Sequence, residues 1–432
     1  MSKSKKSDLN DIYQKKTQKE HIKDAPDTYV GAVEPDEVKN WSFKDDGKLH
    51  FYSYTWTPAF YKLFDEAIVN CRDQFIRLQQ KQNDGEDIVP VTMIDVSVDK
   101  ETGIITLMND GNGIDVAQHP EHKLWIPEMI FGHLMTSTNY KKSEKKIVGG
   151  KNGFGIKLVF IYSKWARIET VDHFRKKRYV QEFKDNLDII GKPKITKASN
   201  TKPFVKISFL PDYERFGMEG ITDDMFNLFK KRTYDIAAIT DKSVKVRFNH
   251  SMIPIRTLEQ YINLYIGDKS ETTRVFEKNG IRWEYCVCLS PVDEFTQVSF
   301  VNGVYTSKGG KHVEYILNQI VRKIIAYIEK KKKINVKATS IKEQLMLFVN
   351  CVVENPSFDS QTKDYMNTPV SKFGSRCEIT DKFVDKIVKM GVMEAAISLS
   401  ELKDNKAAKK TDGRKSKNIR NIPKLIDANW AG

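Results

Sequence analysis

Glu66 and Asn70 stand four residues apart in a stretch, Pro58–Gln80, whose apolar residues recur at helical spacing. Side chains at i and i+4 share one helical face. That face flanks the apolar stripe of Phe60, Leu63, Phe64, Ala67, Cys71, Phe75 and Leu78. A carboxylate can take a proton from water, and a carboxamide can offer an oxygen to a hard cation such as Mg2+. Taken alone, the spacing fits an ordinary solvated acid–amide couple better than a site. The loop Asn109–Gly113 (NDGNG) carries glycines that let backbone approach a flat ligand, and Asn109 has a side-chain oxygen for an amino group such as that of adenine. It reads equally as a strand-ending turn. Gly149, Gly150, Gly153 and Gly155 precede an apolar helix, so free backbone N–H groups there suit an anion, with Lys157 adding charge. The segment matches neither a Walker A loop nor a dinucleotide fingerprint, and a plain connector is the other reading. Far downstream, Gln361-Thr362-Lys363 places a lysine where it could meet a terminal phosphate.

The elements that must hold these residues are legible in outline. After the Pro58 helix, strands are expected at Val91–Val98 and Gly103–Met108, then a short helix at Pro127–Leu134. Alternating strands follow at Ala166–Val171, Arg178–Phe183, Val205–Leu210 and Val244–Phe248, with a helix near Asp224–Ala238. Past residue 250 the pattern resets: strands at Arg282–Leu289 and Gln297–Val301, a helix at Val313–Lys333, a strand at Leu345–Val353 and a helix near Asp381–Leu399. After residue 400 the lysine-rich chain reads as linker or surface coil. This gives two α+β units of unequal size joined near residue 250, with largely antiparallel strands.

The totals narrow the function. The chain has 432 residues, 40% hydrophobic and 30% charged, which suggests two or three globular domains. No stretch has the roughly 18 apolar residues of a membrane span, and MSKSKKSDLN is no secretory signal. Nucleus or cytoplasm is the expected location, or a viral replication site, since a cellular eukaryote and a large DNA virus both fit. Five scattered cysteines read as reduced structural thiols, with Cys286 and Cys288 on one face of a strand. The formal net charge of +14 favours a polyanionic partner, nucleic acid above all.

Order makes these weak signals informative. FDEAIVN (Phe64–Asn70), NDGNGI (Asn109–Ile114), PEMIFGHLMTSTNY (Pro127–Tyr140), GGKNGFGIK (Gly149–Lys157), SFVNGVYTSKGGKHV (Ser299–Val313) and ENPSFDSQTK (Glu354–Lys363) together resemble the eukaryotic-type, type IIA DNA topoisomerases II over about Tyr13 to Gly432. The resemblance implies a GHKL (Bergerat) ATP-binding sandwich followed by a ribosomal S5-like transducer. The implied layout is tail and strap at 1–25, ATPase domain at 26–249, transducer at 250–400 and a linker at 401–432. It further implies ATP and Mg2+ as ligands, Glu66 as general base and Asn70 as the magnesium ligand. Asn109 would face adenine, where gyrase-type relatives have Asp. Ser137, Thr138 and Asn139 would contact ribose and phosphate. Gly150, Lys151, Asn152, Gly153, Phe154, Gly155, Ile156 and Lys157 would cradle phosphates. Gln361, Thr362 and Lys363 would reach the γ-phosphate from the second domain, and a strap near Tyr13–Gln18 would exchange between protomers of an ATP-dependent homodimer. Lys330, Lys331, Lys332 and Lys333 complement the dipole of the helix they end; the resemblance adds backbone contact with double-stranded DNA. The acidic metal cluster and DNA-cleaving tyrosine of such enzymes are expected beyond the last residue, so the chain should hydrolyse ATP without cutting DNA. A mismatch-repair or chaperone ATPase of the same superfamily, and a non-enzymatic DNA-binding module, are the competing readings.

Overall fold

The computed structural model describes residues 15–44, 46–134, 136, 146–150, 153–292 and 294–411, with side chains described to residue 402. Pro58–Asn83 forms one long helix with proline in its first turn, where a missing N–H costs nothing. The apolar stripe expected from sequence is buried, and so are Lys62, Asp65, Glu66, Arg72 and Asp73 on the remaining face. The stripe rests on a large sheet, and the charged face meets other elements.

Among the described residues that sheet has nine strands. Its path runs Ser251–Met252, Lys245–Phe248, Met93–Val98, Ile105–Asp110, Phe204–Pro211, Ser163–Val171, Lys177–Lys184, Ile189–Ile190, with Lys194–Lys197 also on Lys177–Lys184. Alternation points Ile94, Val96, Ile105, Leu107, Ile168, Ile207 and Phe209 into the core under the helices. The helix Asp223–Ile239, capped by the Thr222 hydroxyl, lies alongside the long helix, with Phe64 stacked on Phe229 at 4.3 Å. A short helix, Gln18–Asp24, opens on a Thr17/Glu20 capping box and buries Ile22. The Tyr162 hydroxyl donates to the Ile22 carbonyl, and Lys23 pairs with Asp188 at 2.9 Å, so this helix is fastened to its own chain. A hairpin, Asp36–Phe43 with Leu49–Trp56, was absent from the sequence expectation.

The second sheet runs Arg274–Asn279, Trp283–Leu289, Leu345–Cys351, Thr296–Val301, Val304–Tyr305. Only Thr296–Val301 and Leu345–Cys351 are parallel, and the crossover that parallel pairing demands includes the helix Lys311–Lys332. Both faces are covered, which is why LMLFVNC is apolar almost throughout. Leu345, Leu347, Val349 and Cys351 pack with Ile316, Ile320 and Ile324 of that helix. Met346, Phe348, Cys286, Cys288, Val298 and Phe300 join the core of the first unit. The two units therefore share a hydrophobic junction. Burial there pushes the Cys288 thiol up to about 12, as expected of an inert structural cysteine.

One expectation needs correction. The chain beyond residue 400 is helical to Thr411, not coil, because Ala, Leu, Glu and Lys are good helix formers whatever their charge. The helix expected at Asp381–Leu399 is also interrupted: Asp381–Ile387 passes through a π-turn at Val388–Val392, where Gly391 adopts φ +89°, into Met393–Thr411.

Candidate active site

Glu66 is buried, not solvated. Its Oε1 lies 2.8 Å from the Lys363 Nζ, 297 residues away, and 3.0 Å from the Lys62 Nζ one turn earlier. Lys62 also holds Asp65 at 2.7 Å, and Arg232 reaches the other Asp65 oxygen at 2.7 Å. Arg232 continues to Asp235 at 3.7 Å, which Lys231 approaches at 3.3 Å. Arg232 further donates to the Gly303 carbonyl of the second unit at 2.7 Å. Among the described residues the chain Lys363–Glu66–Lys62–Asp65–Arg232–Asp235–Lys231 comprises four cations and three carboxylates. Removing Lys363 would leave three of each. Desolvated charges demand such compensation. Burial pushes the Glu66 carboxyl up, but Lys363 and Lys62 outweigh it and hold the group below its usual value. The Asn70 amide nitrogen donates to the Glu66 carbonyl at 2.7 Å, leaving the amide oxygen as its group for a hard cation.

Lys363 itself adopts φ +63°, an uncommon conformation for a residue with a side chain. Its neighbours impose it. Asp364 accepts from the Ser307 hydroxyl and the Thr362 hydroxyl, both at 2.9 Å, and its carbonyl accepts from the Lys308 N–H. The Thr362 methyl packs where a Gly31 side chain would stand, 3.2 Å from its ideal Cβ. Gln361 is half-buried in the same loop.

The glycine segment wraps the same helix. Asp73 accepts from the Gly149 N–H at 2.9 Å and the Gly150 N–H at 2.8 Å. Asn355 of the second unit grips Lys146 twice: its N–H donates to the Lys146 carbonyl at 2.9 Å, and its side-chain oxygen accepts the Lys146 N–H at 3.2 Å. Gly155 begins the helix Gly155–Ile161, and a Cβ there would stand 1.9 Å from the Glu66 Oε2. A Cβ at that approach would have to displace the Glu66 carboxylate. Gly153 takes φ +70°, Phe154 precedes the helix, and Ile156 packs against the core. Lys157 adds less free charge than expected: it is buried, and its ammonium donates to the carbonyls of Gly153 at 2.8 Å and Thr136 at 2.7 Å. Among the described residues it has no carboxylate partner, and burial pulls it down to about 8. The expected contacts at Ser137, Thr138, Asn139, Lys151 and Asn152 lie outside the described residues, as do Tyr13 and Gln14 of the expected strap.

Asn109 is buried near the end of its strand and donates to the Asp110 carbonyl at 2.8 Å. Gly111 packs on Leu78 near the far end of the long helix, and a Cβ on Gly113 would collide with the Val171 carbonyl. At a rise of 1.5 Å per residue, Glu66 and Leu78 are about 18 Å apart. One helix thus carries both expected ends of a nucleotide, the phosphate end at Glu66 and the base end at Leu78. Lys330–Lys333 are exposed at the end of the Lys311–Lys332 helix, where Lys333 takes φ +56°. They stand apart from the Glu66 cluster.

A family profile described as DNA gyrase B matches residues 257–418. A DNA topoisomerase 2 of Arabidopsis thaliana is 42% identical over 98% of this chain, and one of Acanthamoeba polyphaga mimivirus is 40% identical over all of it. The chain spans 28% and 34% of the lengths of these relatives. The crystal structure of the ATPase region of Saccharomyces cerevisiae topoisomerase II superposes with a TM-score of 0.83 at 38% identity, covering 91% of this chain and all of that one. The chain belongs to the type II DNA topoisomerase family, as its ATPase region. The ATPase and transducer domains of topoisomerase II from Balamuthia mandrillaris agree, at TM-score 0.83 and 38% identity over 91% of this chain and 99% of that one. The fold of this topoisomerase ATPase region is accordingly the expected α+β pair, a GHKL sandwich and a transducer.

Sequence reasoning missed several residues of the site. Asp73 follows Glu66 by seven and Asn70 by three, so helical spacing already placed it on their face. Lys62 precedes Glu66 by four and was available on the same ground. Arg232 and Gly303 gave no local signal, since each is defined by a partner far along the chain.

Proposed function

We propose that this topoisomerase ATPase region binds ATP with Mg2+ and hydrolyses it with Glu66 as general base. We further propose that, within the whole protein, the cycle closes a homodimer around double-stranded DNA and drives one duplex through another. The observation that carries the reading is the 2.8 Å contact between Glu66 and Lys363, which joins the two units at one carboxylate. A terminal phosphate entering there competes with Glu66 for the surplus cation. Lys363 then holds the phosphate, Lys62 keeps the Glu66 Oε1, and the carboxylate, relieved of one of its two cations, can orient water and accept its proton. Magnesium, held by Asn70 and phosphate oxygens, would offset charge on the phosphates. Asn109 would receive adenine, and the backbone from Gly150 to Lys157 would line the phosphates. The boundaries near residues 25, 250 and 400 remain part of this reading, as do strap exchange and DNA contact by Lys330–Lys333. The comparisons give a mismatch-repair or chaperone reading no support.

The test is Glu66→Gln with turnover, nucleotide binding and sedimentation measured together. Loss of turnover with binding retained, and dimerisation on a non-hydrolysable ATP analogue, are the expected results. Wild-type turnover in the variant would reject the assigned base.

A further inference from the structure

Much of the surplus charge is concentrated in one place that the ATP site does not use. Between Asp172 and Lys206 the sequence has ten lysines and arginines against four aspartates and glutamates, which is +6 of the chain's +14. The strands Lys177–Lys184 and Lys194–Lys197 pair there, and their register sets Lys177 directly opposite Lys197. Like charges facing across an antiparallel pair are destabilising. Lys176, Lys177, Lys194, Lys197 and Lys202 are all exposed. Among the described residues none of the five has a carboxylate within ion-pairing distance. Lysines on a sheet edge commonly guard against self-pairing. That purpose does not account for Phe174, 58% exposed at the tip of the adjoining turn.

The turn is built to hold that ring out. Buried Asp172 accepts from the N–H groups of Phe174 at 2.8 Å, Arg175 at 3.1 Å and Val116 at 2.8 Å, and from the Arg175 guanidinium at 3.1 Å. Lys176 sits at φ +49°, its N–H donating to the Asp172 carbonyl at 3.0 Å. The His173 N–H donates to the carbonyl of Asn112, in the loop assigned to the base, at 2.8 Å. A rigid turn therefore displays an aromatic ring beside unpaired cations. Cations that track a backbone and an apolar side chain that enters between bases are the two components of sequence-independent nucleic-acid binding.

We propose that the turn Asp172–Lys177 and the edge strand Lys194–Lys197 form a second contact surface for the backbone of duplex DNA, on the ATPase unit and separate from Lys330–Lys333. The inference rests on the reading above that DNA is a partner. The test is anisotropy of a short labelled duplex with the full chain across about 50–200 mM salt. Each lost phosphate contact lowers the salt slope by about 0.9, so Lys177→Gln/Lys194→Gln/Lys197→Gln is expected to lower it by about 2–3 and to weaken binding several-fold at low salt. Phe174→Ser is expected to weaken binding with the slope kept. ATP turnover without DNA is expected to match wild type in both variants. A triple variant with wild-type slope and affinity, while Lys331→Gln/Lys332→Gln loses binding, overturns this surface and leaves the DNA reading standing. Displacement of the duplex by polyglutamate at equal charge concentration overturns it in favour of an acidic protein segment. Failure of the wild-type chain to bind duplex at any salt removes the DNA reading itself.

Discussion

Gly155→Ala adds a single methyl and tests the proposed chemistry directly. The ideal Cβ would stand 1.9 Å from the Glu66 Oε2, whereas real Cβ contacts are essentially never under 3.0 Å. The carboxylate must therefore retreat by about 1.1 Å, or the start of the Gly155–Ile161 helix must move by as much. Either shift strains a contact with Lys363 that is now 2.8 Å long. A misplacement of about 1 Å at a reacting group costs on the order of 10²-fold in rate. The local conformation otherwise tolerates alanine: Gly155 has no positive φ and stands at the first position of its helix. The variant should accordingly fold with a Tm close to wild type and bind nucleotide within a few-fold, while kcat falls about 10²-fold. Phosphate-release kinetics, calorimetric nucleotide binding and thermal unfolding on one preparation separate these quantities. Turnover within threefold of wild type in a folded variant would refute the role of Glu66 position in the rate.

Three further outcomes are expected. Asp73→Asn exchanges a charged acceptor for a neutral one under the Gly149 and Gly150 amides; at about 1.5 kcal/mol for one such bond, nucleotide affinity measured by titration should weaken about tenfold. Phe348→Ala empties part of the junction shared by both units and should cost about 3–5 kcal/mol, with calorimetry showing one lowered transition. Lys157, depressed from 10.5 to about 8 by burial, makes stability pH-dependent: the unfolded chain holds the extra proton between these values, so the penalty is full below pH 8 and is relieved as pH rises to 10.5. Wild type should therefore gain up to about 3 kcal/mol over Lys157→Met across that window in denaturant titrations, and parallel pH curves would contradict the assignment.

What the sequence disclosed follows from the range of the interactions involved. The Pro58 helix was readable because its stripe and its proline are local, and only its end moved, to Asn83. The hairpin Asp36–Phe43 with Leu49–Trp56 had a usable signal in Asp46-Gly47 and was missed as unrecognised turn chemistry. The helix Leu258–Ile266 was likewise announced by Thr257, whose hydroxyl accepts the Gln260 N–H. The state of Glu66 was not readable. Spacing put it beside Asn70 at the edge of the core as a solvated couple, whereas Lys363 and Gly155 close over it from separations no periodicity describes. The order of motifs supplied what spacing could not, because order preserves a constellation whose members meet only after folding.

The sharing of one carboxylate by two units raises the question of how strongly nucleotide can move one unit against the other. A ligand shifts an equilibrium only by its differential affinity for the two arrangements, and a change from 1:99 to 99:1 requires about 5.5 kcal/mol. One hydrogen bond to a charged group contributes about 1.5–3 kcal/mol. Exchange of Lys363 from Glu66 to a phosphate is thus too small to drive such a change alone, since it trades one charged contact for another. The remainder must come from contacts that also cross the junction: Arg232 to the Gly303 carbonyl, Asn355 to the Lys146 backbone, and Gly149 packed between Val69 and Val304. The last two lie on or beside the glycine segment itself, so on the proposed reading phosphate binding by that segment and repositioning of the transducer would be coupled. A device of this kind weakens by degrees when single contacts are removed and fails outright only when the segment loses both of its anchors.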